Sequence, residues 1–91
     1  MSLSGTQRRN LKSRAHHLNP VIIVGQKGVT SEILTATDKA LNDHELIKLK
    51  FIDFKDEKKE LSSVIADSLN ANLIDIIGNI AIYYRENIEN K

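Results

Sequence analysis

Between Pro20 and Gly25 the chain has room for four residues, and all four are β-branched: Val21-Ile22-Ile23-Val24. Such a run packs well on a pleated surface and predicts a strand, and its apolar side chains at both parities predict that much of both sides is covered. Proline disfavours helical geometry in Asn19 before it, and Gly25-Gln26-Lys27-Gly28 breaks the strand behind it. A chain of 91 residues has room for one core. The strand therefore belongs to a single domain, 1–91, with an ordered core over about 3–86.

The flanking segments carry helical periods. Ser4-Gly5-Thr6-Gln7 fits a capping box, a side-chain oxygen followed three residues later by glutamine, and starts a first helix that Asn19-Pro20 ends. Leu11, Ala15 and Leu18 then form its buried seam, with Arg8, Arg9, Lys12 and His16 in a stripe beside it. After the glycine loop, Thr30 or Ser31 caps a second helix, Glu32 complements its dipole, and Ile33, Leu34, Ala36, Thr37, Ala40 and Leu41 share the inner face. Asn42-Asp43-His44-Glu45 is a polar connection. Leu46 to Phe51 alternates, with Ile47, Leu49 and Phe51 on a dry face and Lys48 and Lys50 on a wetter one. Asp53 or Asp56 caps a third helix whose inner stripe is Leu61, Val64, Ile65, Ser68 and Leu69, and Asn70 is a left-handed stop. Leu73–Ile77 and Ile80–Arg85 make a hairpin about Gly78-Asn79. Tyr83 and Tyr84 face opposite sides of that last strand, one toward the core and the other at the sheet edge.

The resulting order is α-β-α-β-α-β-β, an α/β (α+β) chain with a four-stranded mixed sheet. Right-handed crossovers make the first three strands parallel, and the hairpin adds an antiparallel one.

Charge is distributed unevenly along this order. Residues 1–31 hold Arg8, Arg9, Lys12, Arg14 and Lys27 and no acid, whereas residues 32–91 hold eight bases against twelve acids. A basic end on an otherwise acidic chain is the footprint expected of a polyanion ligand. The glycine loop lies where that ligand could be gripped. It follows a strand and opens a helix, so the first free amides of the helix are expected to face whatever sits over the loop. Gly25 and Gly28 let a phosphate approach the main chain closely, and Lys27 adds a mobile charge. Helix and loop are expected to present one continuous positive surface.

Other chemistries lack their residues. With no cysteine there is no disulfide framework, zinc ribbon or thiol nucleophile. A Walker loop needs four residues between its glycines and a lysine after the second, and the dinucleotide fingerprint needs a third glycine. His16-His17 point about 100° apart on a helix and have no acid beside them to complete a metal set. No serine sits in a nucleophile elbow. The longest aliphatic run, Val21–Val24, is too short for a membrane span or a signal-peptide core. A cytoplasmic, non-enzymatic protein without cofactor, metal or small-molecule substrate is expected. Two phenylalanines and two tyrosines are too few for a broad base-stacking platform.

Several separated motifs together resemble a known family. Leu3-Ser4-Gly5, Gln7-Arg8-Arg9, Leu11-Lys12, Ala15-His16, Asn19-Pro20 and Val24-Gly25-Gln26-Lys27-Gly28 are similar to the bacterial YhbY-like proteins, the stand-alone form of the CRM domain. The match continues through Ala40-Leu41, His44-Glu45-Leu46-Ile47-Lys48 and Gly78-Asn79 to Tyr84-Arg85, nearly the whole chain. The resemblance implies a two-layer sandwich similar to the C-terminal domain of translation initiation factor three. It also implies RNA binding and association with precursors of the large ribosomal subunit, with ribosomal RNA and ribosomal proteins as partners. The family's loop falls on Gly25, Gln26, Lys27 and Gly28 (a GxxG loop, similar in kind to the backbone clamp of KH domains) and its basic helix on Arg8, Arg9 and Lys12, with His16 at the stripe's edge. Thr6 and Asn79 stand where relatives carry basic residues, which lowers the expected affinity. The rival expectation is a protein-interaction adaptor on the ribosome, docking through Lys48, Lys50 and the last hairpin without touching RNA.

Overall fold

The computed structural model describes residues 3–87. Met1, Ser2 and residues 88–91, which the one-domain reading of 1–91 includes, lie outside the described residues. The elements are α1 (Gly5–Ala15), β1 (Ile22–Val24), α2 (Ser31–His44), β2 (Leu46–Phe51), α3 (Lys58–Leu69), β3 (Asn72–Ile77) and β4 (Ile80–Tyr84), with a 3-10 turn at Lys55–Glu57 before α3. The expected order is present.

The sheet runs β1-β2-β4-β3. β1 is parallel to β2, and β4 is antiparallel to both β2 and β3. The first three strands therefore point the same way, and the last strand of the sequence lies between two of them. One face carries the larger core, where Val24, Leu49, Phe51, Ile65, Leu41 and Tyr83 pack beneath α2 and α3. Tyr83 is fully buried there and donates its hydroxyl to the Ser62 carbonyl at 2.9 Å. Burial pushes that phenol up to about 12. The sheet with α2 and α3 is the expected sandwich, and α1 adds partial cover on the opposite face, where Leu11 and Ala15 pack on Leu46, Ile74 and Ile82.

A bulge in β3 makes that second contact possible. The register with β4 shifts between Leu73 and Asp75. Two successive residues consequently turn toward α1: Ile74 joins its apolar seam, and Asp75 meets Lys12.

Several local expectations are corrected. α1 keeps its capping box, with the Gln7 amide donating to Ser4 Oγ at 3.1 Å and the Ser4 amide to Gln7 Oε1 at 2.8 Å. It ends at Ala15, however, where the His16 amide turns back to the Ser13 carbonyl, so Leu18 lies past the helix and is exposed. β1 is an edge strand covered on one side only. Ile22 and Val24 are buried, but Val21 and Ile23 are 51% and 53% exposed, because α1 sits over β2, β4 and β3 and does not reach them. α2 runs on through His44, turning at Glu45 with φ 63°, and Ala36 on it faces solvent.

Neither Asp53 nor Asp56 caps α3. Asp53 accepts the Phe54 amide instead, and the 3-10 turn leads into the helix through Glu57. The extra turn rotates the buried stripe to Leu61, Ser62, Ile65, Ala66 and Leu69, leaving Val64 and Ser68 outside. Asn70 is the left-handed stop, at φ 53°. Tyr84 is half-buried against the α1 cluster in the middle of the sheet, since its strand is interior rather than an edge.

Candidate nucleic-acid interface

Gly25–Gly28 forms a tight turn closed by the Gly28 amide on the Gly25 carbonyl at 3.0 Å, with Gln26 and Lys27 exposed at its tip. The two glycines have different reasons to be glycine. Gly28 has φ +72°, is buried, and a Cβ there would lie 3.4 Å from the Phe54 ring. Gly25 has ordinary backbone geometry, and a Cβ would lie 3.8 Å from Ile52 Cδ1. Close approach by a ligand is thus a reason that fits Gly25, whereas Gly28 is demanded by the turn itself.

At the start of α2 the cap takes one of the free amides, and the regular helix bonds begin at Leu34. The Ile33 amide donates to Thr30 Oγ1 at 3.2 Å, and Leu34 donates to the Thr30 carbonyl at 3.1 Å. The Glu32 carboxylate accepts from its own amide and from Thr30, which holds it below the usual carboxylate range. Lys27 makes no ion pair with any described residue, so its charge at the loop tip is uncompensated by a carboxylate contact.

The stripe on α1 divides in two. Arg8 reaches across to the edge strand β3, donating from Nη1 to the Leu73 carbonyl at 3.0 Å. Lys12 pairs with Asp75 at 2.7 Å, and that lysine, with the Ile76 amide, holds the aspartate below its ordinary pKa. Both side chains anchor α1 to the sheet. Arg9 has only an exposed contact to Thr6 Oγ1, at 3.3 Å, and His16 is exposed, its ring edge-on to His17 with centroids 5.4 Å apart.

Arg9, Lys12, His16 and His17 form one wall of a groove of about 660 Å³ between α1 and the sheet. Lys48 stands within it, close enough for Nζ to donate to the His16 carbonyl at 3.4 Å, and Ile77 and Ile80, backed by the buried Ile82, make the floor. Lys50 follows Lys48 on the same face, about 7 Å along the strand, paired between Ile23 on β1 and Ile80 on β4. One residue beyond Val24, β1 gives way to Gly25. The α1 stripe and the loop are therefore bridged by Lys48 and Lys50 rather than touching. The loop has a hollow of its own toward α2, lined by Gln26, Lys27, Thr30 and Glu32.

Of the site residues expected from sequence, Arg9, Lys12 and His16 share the groove, Gly25–Gly28 lies at the end of the sheet, and Arg8 is diverted to β3. Lys48 and Lys50 were read as a protein-docking face, although the alternation of β2 already set them apart from the core. The isoleucine floor had no signal, because an isoleucine in a strand reads as core. Among the described residues no cluster of histidine and carboxylate side chains could hold a metal, and no helix is long and apolar enough to cross a membrane.

The chain is similar to known proteins over nearly its whole length. The chain is 41% identical over 91 residues to a Haemophilus influenzae protein named an RNA-binding protein, covering 99% of this chain and 92% of that one. It is 39% identical over 88 residues to a Pseudomonas aeruginosa protein named a probable RNA-binding protein, covering 96% and 85%. Among solved structures, it matches the solution structure of a Staphylococcus aureus protein itself proposed to bind RNA, with a TM-score of 0.84, 34% identity, and coverage of 99% and 95%. The sequence model of the CRS1/YhbY (CRM) domain matches residues 3–85. With nearly the whole chain matched in sequence and in fold, this protein belongs to the CRS1/YhbY (CRM) domain family.

Proposed function

We propose that this chain is a non-catalytic RNA-binding module of the cytoplasm that associates with ribosomal RNA in precursors of the large subunit, beside ribosomal proteins, and acts in their assembly. The observation that carries the reading is the convergence of Arg9, His16, Lys48 and Lys50 on one face, with the exposed Gln26-Lys27 tip at its end. Spread cations, with the His16 imidazole as a hydrogen-bonding neighbour and few base-reading partners, position a phosphate backbone and set affinity more than sequence choice. The names of the relatives support RNA as the partner, and the family resemblance supports the ribosomal setting.

Fluorescence anisotropy with labelled ribosomal RNA fragments tests the first part. Affinity should fall steeply with added salt, and the double change Gln26→Asp with Lys27→Asp should abolish binding while the melting temperature stays put. Crosslinking in cells followed by sequencing tests the second, with large-subunit RNA the expected fragment. Salt-insensitive binding to a ribosomal protein alone, with no RNA bound, would replace this reading with the adaptor.

A further inference from the structure

We infer that the groove between α1 and the sheet takes unpaired nucleotides, so that the RNA bound there is single-stranded, its bases on the isoleucine floor and its phosphates along the cationic rim. This rests on the RNA-binding reading and names its substrate class. The groove combines two chemistries at different depths. Its rim carries Arg9, His16 and His17 from α1 and Lys48 from β2, while its floor is the aliphatic surface of Ile77 and Ile80, backed by the buried Ile82. Ile77 is 51% exposed, an apolar surface with no cover among the described residues. The strip continues past Lys50 to Ile23 and Ile52, both more than half exposed.

Charge complementarity selects the occupant. Asp75 is the acid beside the groove, and Lys12 already neutralises it at 2.7 Å. Thus no carboxylate among the lining residues is left to repel a phosphate. A duplex presents phosphates outward and hides its bases in the stack, so it could meet the rim but not the floor. A single strand offers phosphate and base side by side, which matches a cationic wall standing over an apolar bed. The volume, about 660 Å³, lies in the range of small-ligand sites and suits splayed nucleotides rather than a double helix. No phenylalanine, tyrosine or tryptophan lines the groove, so the bases would rest on the isoleucines with the His16 and His17 rings at the rim, and little base preference is expected.

The test compares a labelled oligouridylate with an A-form RNA duplex of equal length, using the full chain and a variant carrying Ile77→Thr and Ile80→Thr. Threonine keeps the β-branch and every rim charge, and circular dichroism monitors the fold. The variant should bind the single strand about fivefold or more weakly, with the salt slope and the duplex affinity unchanged. A 4-thiouridine strand crosslinked to the unaltered protein should label residues 13–17 and 77–82, an independent readout if the variant is unstable. Equal affinity of the unaltered protein for both RNAs, or crosslinks confined to Gly25–Gly28, would overturn the inference while RNA binding stands. Failure of the unaltered protein to bind either RNA would instead remove the RNA reading beneath it.

Discussion

The two glycines of the loop should respond oppositely to the same substitution. Gly28→Ala forces an L-residue into the left-handed region at φ +72°, which costs about 1–2 kcal/mol. The new Cβ would sit 3.4 Å from the Phe54 ring, a contact that the half-exposed ring can accommodate with a small shift, so it adds little. For a chain of this size the loss corresponds to a fall of roughly 4–15 °C in melting temperature. Gly25→Ala meets only an ordinary contact, Ile52 Cδ1 at 3.8 Å, and no positive φ. It should leave stability within about 0.5 kcal/mol or raise it slightly by restricting the unfolded chain. Urea unfolding followed by circular dichroism reads both midpoints, and an unchanged slope with denaturant separates a stability change from an altered unfolded state. Equal stability of Gly28→Ala and the unaltered chain would refute the assignment of Gly28 to the turn. A loss above 1 kcal/mol for Gly25→Ala would refute the claim that its site is sterically open.

Four further outcomes follow from named contacts. Arg8→Ala should cost about 1 kcal/mol in urea unfolding, because it removes the bond to the Leu73 carbonyl. Arg9→Ala should leave stability alone and reduce the slope of log affinity against log salt by about 0.7 to 0.9. Tyr83 is neutral in the fold until about pH 12 but ionises near pH 10 when unfolded. Its contribution is therefore complete below pH 10 and lost as pH rises toward 12, roughly 3 kcal/mol seen as the difference between the unaltered chain and Tyr83→Phe in alkaline unfolding curves. Arg85 donates to Asp38 Oδ1 and the Leu69 carbonyl at 2.8 Å each and to Asn42 Oδ1 at 2.9 Å, so Arg85→Ala should destabilise by about 2 kcal/mol, and Arg85→Lys by most of that, since an ammonium lacks the fork.

What the sequence disclosed and what it withheld divide along a physical line. Element order and three of the helix ends were legible because they are local: Ser4 and Gln7 bond each other, Thr30 caps its own helix, and Asn70 stops one, whereas the start of α3 was not. The side chains of Arg8 and Lys12 were misread as free, because their partners on β3 are more than sixty residues away and one of them, Asp75, faces α1 through a bulge that alternation does not foretell. Val21 and Ile23 were expected to be covered. A strand's composition reports what it tolerates on each face, and only the placement of α1 decided that theirs is open.

The strand that completes the sheet is the last one made. β4 lies between β2 and β3 and supplies the antiparallel partner of both. During synthesis from the N-terminus, β1 and β2 can pair, but β3 has no neighbour and Leu49 and Ile47 keep an open edge until Ile80–Tyr84 has emerged. Folding is thus gated by the C-terminal segment, and a nascent chain stopped before Tyr84 should behave as an unfolded, protease-sensitive polypeptide rather than as a smaller version of the protein. A point mutation in β4 would be felt on both sides of the sheet at once, at Leu46–Lys50 and at Asn72–Ile77.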